Sequence, residues 1–313
     1  MEFNTVKEFA NYVAEHLFDA REDLADNKVV VNEVVKNNGM VLQGLTIKSE
    51  SSNIAPTIYV NDFYNRYMDG LSVDEVISRI VAIFVDHRVP ENISVDFFTD
   101  FEQVKDRLAM KVINAEKNVE LLAACPHFIM GDLAAIFQVQ VDSNEFGNAV
   151  ITVKNEHSNM WGVDAQTLMN LARENMEEKQ PVRIQSMLEV LRDMMGGDMP
   201  DEMLSGPEPA MYVMSNESKV NGAAAMVFTD KLQEFAELHE TNFFILPSSI
   251  HETLLVPDNG EMDVEQLTNM VREVNDTQVA PDEILSYTVY YYDRDAQALM
   301  FAENKEVITI HEV

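Results

Sequence analysis

The stretch FFILPSSIHETLLVPD, Phe243–Asp258, sets two apolar runs, 243–246 and 253–256, on either side of a polar knot: Pro247, Ser248, Ser249, His251 and Glu252. Two β-forming runs broken by proline and serine predict strand, turn, strand. The same knot holds a serine, a histidine and a carboxylate, which are the parts of a hydrolase. A serine nucleophile needs a base within hydrogen-bond reach and a group that orients the base. In an extended chain Ser249 and His251 share a face, while Glu252 points the other way. No Gly-x-Ser-x-Gly occurs and no helical pattern follows, so the strained elbow that presents a hydrolase serine is missing. The structural reading is favoured: Pro247 ends one strand, the serines serve turn backbone groups, and His251 packs at the start of the next strand. Ser248, Ser249, His251 and Glu252, aided by Asp293 or Asp295, remain the candidates for catalysis.

The rest of the chain alternates helical and strand patterns. Phe3, Val6, Phe9, Ala10, Val13, Leu17 and Leu24 recur at helical spacing, predicting a helix over 4–24. KVVVNEVV and MVLQGLTI flank KNNG, a hairpin whose Asn38 and Gly39 supply positive φ. Ser72 and Glu75 form a capping box before a helix at 73–87. A second helix is expected at 100–108, then a strand at MKVIN and a short helix near 117–123. Residues 128–141 form a long apolar run that predicts one strand, with NAVITVK as its partner. VDAQTLMNLARENMEE and VRIQSMLEVLRDMM predict helices, with Pro181 at the second one's start. Residues 196–209 are rich in Gly, Pro, Met and acid and predict a loop. Strands are expected at AMYVMSN, GAAAMVF, NFFIL and TLLVP, helices at 229–239 and 263–274, and three short strands near 287–292, 297–302 and 306–310. Several strands in hairpin succession, mixed with helices, predict an α+β fold with a mixed, largely antiparallel sheet and flanking helices. The pattern changes near residue 125, giving an N-terminal helix and hairpin region, 1–125, and a C-terminal α+β domain, 126–313.

The charge balance narrows the partners. The chain of 313 residues has 54 acidic and 22 basic side chains, net −32. Residues 1–125 carry 21 acids and 12 bases, net −9, and residues 126–313 carry 33 and 10, net −23. Such a surface repels phosphates and anionic lipid, which disfavours direct nucleic-acid or membrane binding. It suits a basic protein partner. Cys125 is the one cysteine, so neither an intramolecular disulfide nor a cysteine zinc cluster is expected. No secretory pattern opens the chain and no run of 18 apolar residues occurs, so a cytoplasmic setting is expected. The histidines show no i, i+4 pair, and His239, Glu240, His251 and Glu252 would converge only through the fold; no metal is expected. No phosphate loop is present, and no cofactor is expected.

Two other features bear on binding. In VNGAAAM, Gly222 and three alanines permit close backbone approach by a neighbouring element or a ligand. Asn221, Gly222, Pro247, Asp293 and Arg294 make up a possible binding region. Met187, Met194, Met195, Met199 and Met203 cluster about the acidic loop, where methionine suits an adaptable docking surface; alternatively Met187 and Met194, seven apart, fill a core.

From about residue 127 onward, the ordered landmarks GDLAAIF, WGVDAQTLMNLARENM, MYVMSNESKVNGAAAM, FFILPSSIHETLLVPD and MVREVNDTQVAPDEILSYTVYYYDRD resemble a family of bacterial proteins known as a domain of unknown function, common in gut Gram-positive anaerobes. The resemblance covers roughly the last 190 residues. It implies a cytoplasmic bacterial protein and brings no activity, cofactor or catalytic residue. The reading that follows is a non-enzymatic, acidic interaction protein for a basic protein partner. The alternatives are a hydrolase centred on residues 248–252 and a small-molecule sensor built on the strands of 211–257.

Overall fold

The computed structural model describes residues 2–49, 55–86, 96–141, 149–196 and 211–313. They form two compact units, one from residues up to Asp96 and one from Phe97 onward.

In the first unit, helix α1 (Val6–His16) starts at Thr5, whose Oγ1 accepts from the Glu8 amide. Strands β1 (Lys28–Val35) and β2 (Val41–Lys48) pair in antiparallel register, Val35 opposite Val41. The turn between them has Asn38 and Gly39 at positive φ, as the sequence predicts. Strand β3 (Thr57–Tyr59) extends the sheet, followed by α2 (Asn61–Met68) and α3 (Val73–Asp86). Ser72 Oγ accepts from the Glu75 amide at the start of α3. Phe9, Val13, Leu45, Ile47, Ile80 and Phe84 meet in this unit's core.

Near the start of the second unit, α4 (Phe101–Val104) continues as 3-10 helix over Lys105–Arg107, where one helix is expected over 100–108. Strand β4 (Leu108–Asn114) and helix α5 (Val119–Ala123), both before residue 125, belong to this unit. The apolar run 128–141 is two strands, β5 (His127–Met130) and β6 (Leu133–Val141). Gly131 at φ +64 and Asp132 turn the chain between them. Strand β6 is buried at all but one position and shows no alternation, so periodicity does not mark where it begins. Strand β7 (Ala149–Thr152) pairs with β6, and β14 (Ile310–Glu312) pairs with β5. The sheet runs β14-β5-β6-β4, with β7 also on β6.

Helices α6 (Asn155–Trp161) and α7 (Ala165–Lys179) follow. The segment 182–195, expected as one helix, is strand β8 (Val182–Ser186) and then α8 (Met187–Met194). Ser186 and Glu189 form a capping box that starts the helix five residues late. Residues 197–209 of the expected acidic loop, with Met199 and Met203, lie outside the described residues. Met194 is exposed and Met187 half-buried, so neither fills a core. GAAAMVF is not a strand either. Gly222–Val227 is a 3-10 turn of helix, every residue buried. Strand β9 (Tyr212–Asn216), helix α9 (Thr229–His239), strands β10 (Phe243–Leu246) and β11 (Thr253–Pro257), helix α10 (Val264–Gln278), and strands β12 (Tyr290–Asp293) and β13 (Ala298–Phe301) complete the unit. Their sheet has the order β13-β12-β10-β11-β9-β8. All strand pairs among the described residues are antiparallel, and the fold is α+β.

This second sheet is covered on both faces. Phe243 and Ile245 of β10 enter the main core with Phe137, Tyr290 and Tyr292, while Phe244 and Leu246 meet Leu267 and Val271 of α10. A polar clamp joins the two sheets. The Asp132 carboxylate accepts from Ser286 Oγ at 2.5 Å, Thr288 Oγ1 at 3.1 Å and the Tyr290 hydroxyl. Burial, then the adjacent Asp132 charge, pushes the Tyr290 hydroxyl well above its usual pKa and keeps it a donor. A buried hydroxyl left without an acceptor costs about 1–3 kcal/mol. Asp132→Ala is therefore expected to lower the unfolding free energy by at least about 2 kcal/mol in guanidinium titration, and Asp132→Asn, which keeps one accepting oxygen, by less.

Candidate functional site

The polar knot connects β10 to β11, as the sequence predicts. Its backbone is gripped from both sides. Ile250 donates to the Glu283 carbonyl, Leu285 to the Ser248 carbonyl and Ser286 to the Pro247 carbonyl. Ser249 bridges to Ile284, and the Ile250 carbonyl accepts from Ala223. The side chains do the same work. Ser249 Oγ accepts from the main-chain N–H of His251 at 2.9 Å, a local serine turn. Ser215 Oγ donates to the His251 carbonyl at 2.8 Å. His251 Nδ1 lies 3.2 Å from the Asn221 amide and accepts from it, so the proton of the neutral ring sits on Nε2. Nε2 faces Glu283 Oε1 at 3.3 Å.

Among the described residues, no hydrogen bond joins Ser248, Ser249 or Glu252 to the imidazole ring. Ser248 is buried and Glu252 half-buried. Asp293, Arg294 and Asp295 sit at the other end of β10. Phe243 pairs with Tyr292, and the Arg294 amide donates to Asn242 Oδ1. The four residues of β10 separate that turn from the knot by about 14 Å, at about 3.4 Å per residue. The fold therefore brings together Asn221, Gly222, Ser249 and His251, and places Asp293, Arg294 and Asp295 elsewhere. Asp293 Oδ1 accepts from the Ala296 amide, closing the β12–β13 turn.

Gly222 is where the approach is closest. A Cβ there would collide with Ser215 Oγ, the His251 carbonyl oxygen and, at 2.8 Å, the Asn216 amide nitrogen. The approach is what delivers the Asn221 amide to the imidazole, with Asn221 itself at φ +53. Glu283 and Ser215 escaped sequence reasoning because they lie far along the chain and carry no spacing signal. Ser286, Thr288 and Tyr290 did carry one: hydroxyls at every second position of SYTVY.

A second polar feature lies at the free end of the larger sheet. An open cleft of about 660 Å³ runs beside β8. Val182, Ile184, Tyr212 and Phe235 line its apolar part; Glu177, Glu189, Asp230 and Glu234 line its polar part, with Lys231 the one ammonium. Lys231 Nζ is 2.7 Å from Glu234, and that hydrogen bond raises its pKa. Arg173 Nε lies 3.1 Å from Glu177, and the same guanidinium pairs with Asp230. His239 packs against Phe235 and Tyr212. Strand β8 was read as helix, so sequence reasoning missed this cleft. Among the described residues, no cluster of His, Cys, Asp and Glu is arranged to hold a metal ion, and no helix is long and apolar enough to cross a membrane.

A family model described as a family of unknown function (DUF5688) matches residues 6–294. The chain belongs to DUF5688. Membership confirms the resemblance read from the landmarks and extends it over the first unit. No curated protein and no solved structure matches the chain. The stretches NGAAAM and LPSSIHE meet in the Gly222–His251 contact. Gly222→Ala is expected to lower the unfolding free energy by about 1–3 kcal/mol, because a buried methyl must displace main chain. Thermal melts at neutral pH check this, and an unchanged midpoint contradicts it.

Proposed function

We propose that this DUF5688 chain is a non-enzymatic, acidic interaction protein of the cytoplasm that binds a basic protein partner. The observation that carries the reading is the cleft beside β8, where four carboxylates surround an apolar floor and, among the described residues, only Lys231 and the adjacent Arg173 offset them. An apolar floor with a like-charged rim gives both contact area and a sign preference. The net charge of −32 adds long-range attraction for a cationic partner and repulsion of nucleic acid. The hydrolase alternative, on Ser248, Ser249, His251 and Glu252, has less support. The imidazole Nδ1 that would take a serine proton already accepts from the Asn221 main chain, and Ser249 Oγ accepts from a backbone amide.

Pull-down from host cytoplasm tests the proposal, comparing the wild-type chain with the variant Glu177→Gln, Glu189→Gln, Asp230→Asn, Glu234→Gln. The expected result is a basic protein held at low salt, released at about 0.5 M salt where charges are screened within a few ångström, and lost in the variant. Recovery of nothing above background, or equal recovery by the variant, contradicts it. Labelling of Ser249 by a serine-reactive phosphonate would favour the hydrolase instead.

A further inference from the structure

We infer that the cleft takes its partner as an added β-strand: an extended, lysine- or arginine-bearing segment that pairs with the outer edge of β8. The inference rests on the basic-partner reading and specifies its geometry. Strand β8 ends its sheet, and among the described residues it pairs with β9 alone. Such an edge presents a row of backbone donors and acceptors that templates another strand.

The cleft adjoins that edge on the face where β8 points Val182, Ile184 and Ser186. Arg183 points the other way, exposed, and pairs with Glu217 at 2.9 Å. Helix α9 forms a wall, with Asp230, Glu234 and Leu238 at four-residue steps on one stripe. Side chains at every second position of an added strand would enter this space. Long cationic side chains suit it best: their stems lie over Val182 and Ile184 while their heads reach Asp230, Glu234 and Glu177, three charges that Arg173 and Lys231 offset only in part. An acidic segment would be repelled. So would a second copy of this chain, which brings the same carboxylates and a net charge of −32. The occupant is therefore a cationic segment of another protein.

The test uses the full chain and a fluorescent, acetylated decapeptide of alternating lysine and threonine, read by anisotropy at low salt. Two further peptides carry N-methyl groups on every lysine or on every threonine amide. In a strand these two sets of amides point to opposite edges, so only one set faces β8. The expected result is binding of the parent peptide, loss of about tenfold or more in affinity for one methylated peptide, and a change within about threefold for the other, since a few lost hydrogen bonds of about 1 kcal/mol each exceed the 1.4 kcal/mol of a tenfold change. Glu177→Gln with Glu234→Gln is expected to weaken the parent peptide several-fold without changing the methylation asymmetry. Equal binding of both methylated peptides overturns strand addition and leaves the basic-partner reading standing. No binding of any lysine peptide, or a wild-type dimer by light scattering that excludes the peptide, overturns the inference even if pull-down recovers a basic protein.

Discussion

Asp132 accepts hydrogen bonds from hydroxyls on three alternate residues of one extended segment, Ser286, Thr288 and Tyr290. The arrangement requires that segment to run past the β5–β6 turn with one face toward the carboxylate. Asn114 helps from the neighbouring strand, donating to the Leu285 carbonyl at 3.2 Å. On its other side the segment pairs with the main chain of Pro247, Ser248 and Ile250. The chain from Glu283 to Tyr290 is thus a polar seam through an apolar core. Its buried groups, Ser286 and Tyr290 above all, would remain away from water if they lost a partner, so their bonds support one another. What it holds is consequential: Glu283 opposite His251, and Tyr290 in register with Ile245.

Two polar regions of the second unit then differ in physical kind. At the knot, donors and acceptors are matched within the chain, from the serine turn at Ser249 to the Asn221 amide on His251. At the cleft, carboxylates gather around a sheet edge and an apolar floor, with fewer cations than acids nearby. Matched groups position a backbone; an excess of one charge beside a sheet edge is what the proposed recognition of a cationic strand rests on. The same excess also protects the edge, because a strand edge flanked by like charges pairs poorly with its own copy. On the proposed reading, selectivity for a cationic strand and resistance to self-assembly come from one arrangement.

Local signals in the sequence carry much of this fold. The Asn38–Gly39 hairpin, the Ser72 cap of α3 and the strand–turn–strand at 243–257 are written in short-range patterns, and the structure has them; the helix expected over 4–24 is shorter, Val6–His16. The misreadings come where tertiary context decides. Residues 128–141 are mostly apolar because both faces of β6 are covered, and that hydrophobicity outweighs the turn signal of Gly131 and Asp132. VRIQ alternates over too few residues to outweigh the helical run after it, although Ser186 and Glu189 mark where the helix begins. GAAAM satisfies a strand by hydrophobicity, but its small residues serve a tight 3-10 turn pressed on β9. At the knot, Ser249 and His251 are neighbours in sequence, and that nearness suggested a catalytic pair. The true partners of His251, Asn221 and Glu283, lie 30 and 32 residues away. The cleft was out of reach because its floor is the strand read as a helix.

Amide hydrogen exchange, with and without the lysine–threonine decapeptide, tests whether the β8 edge binds while the knot only supports. The account predicts that bound peptide slows exchange within Val182–Ser186 and leaves residues 248–252 unchanged. Slowing centred on residues 248–252, with β8 unaffected, would contradict it and return the polar knot to the role of binding site.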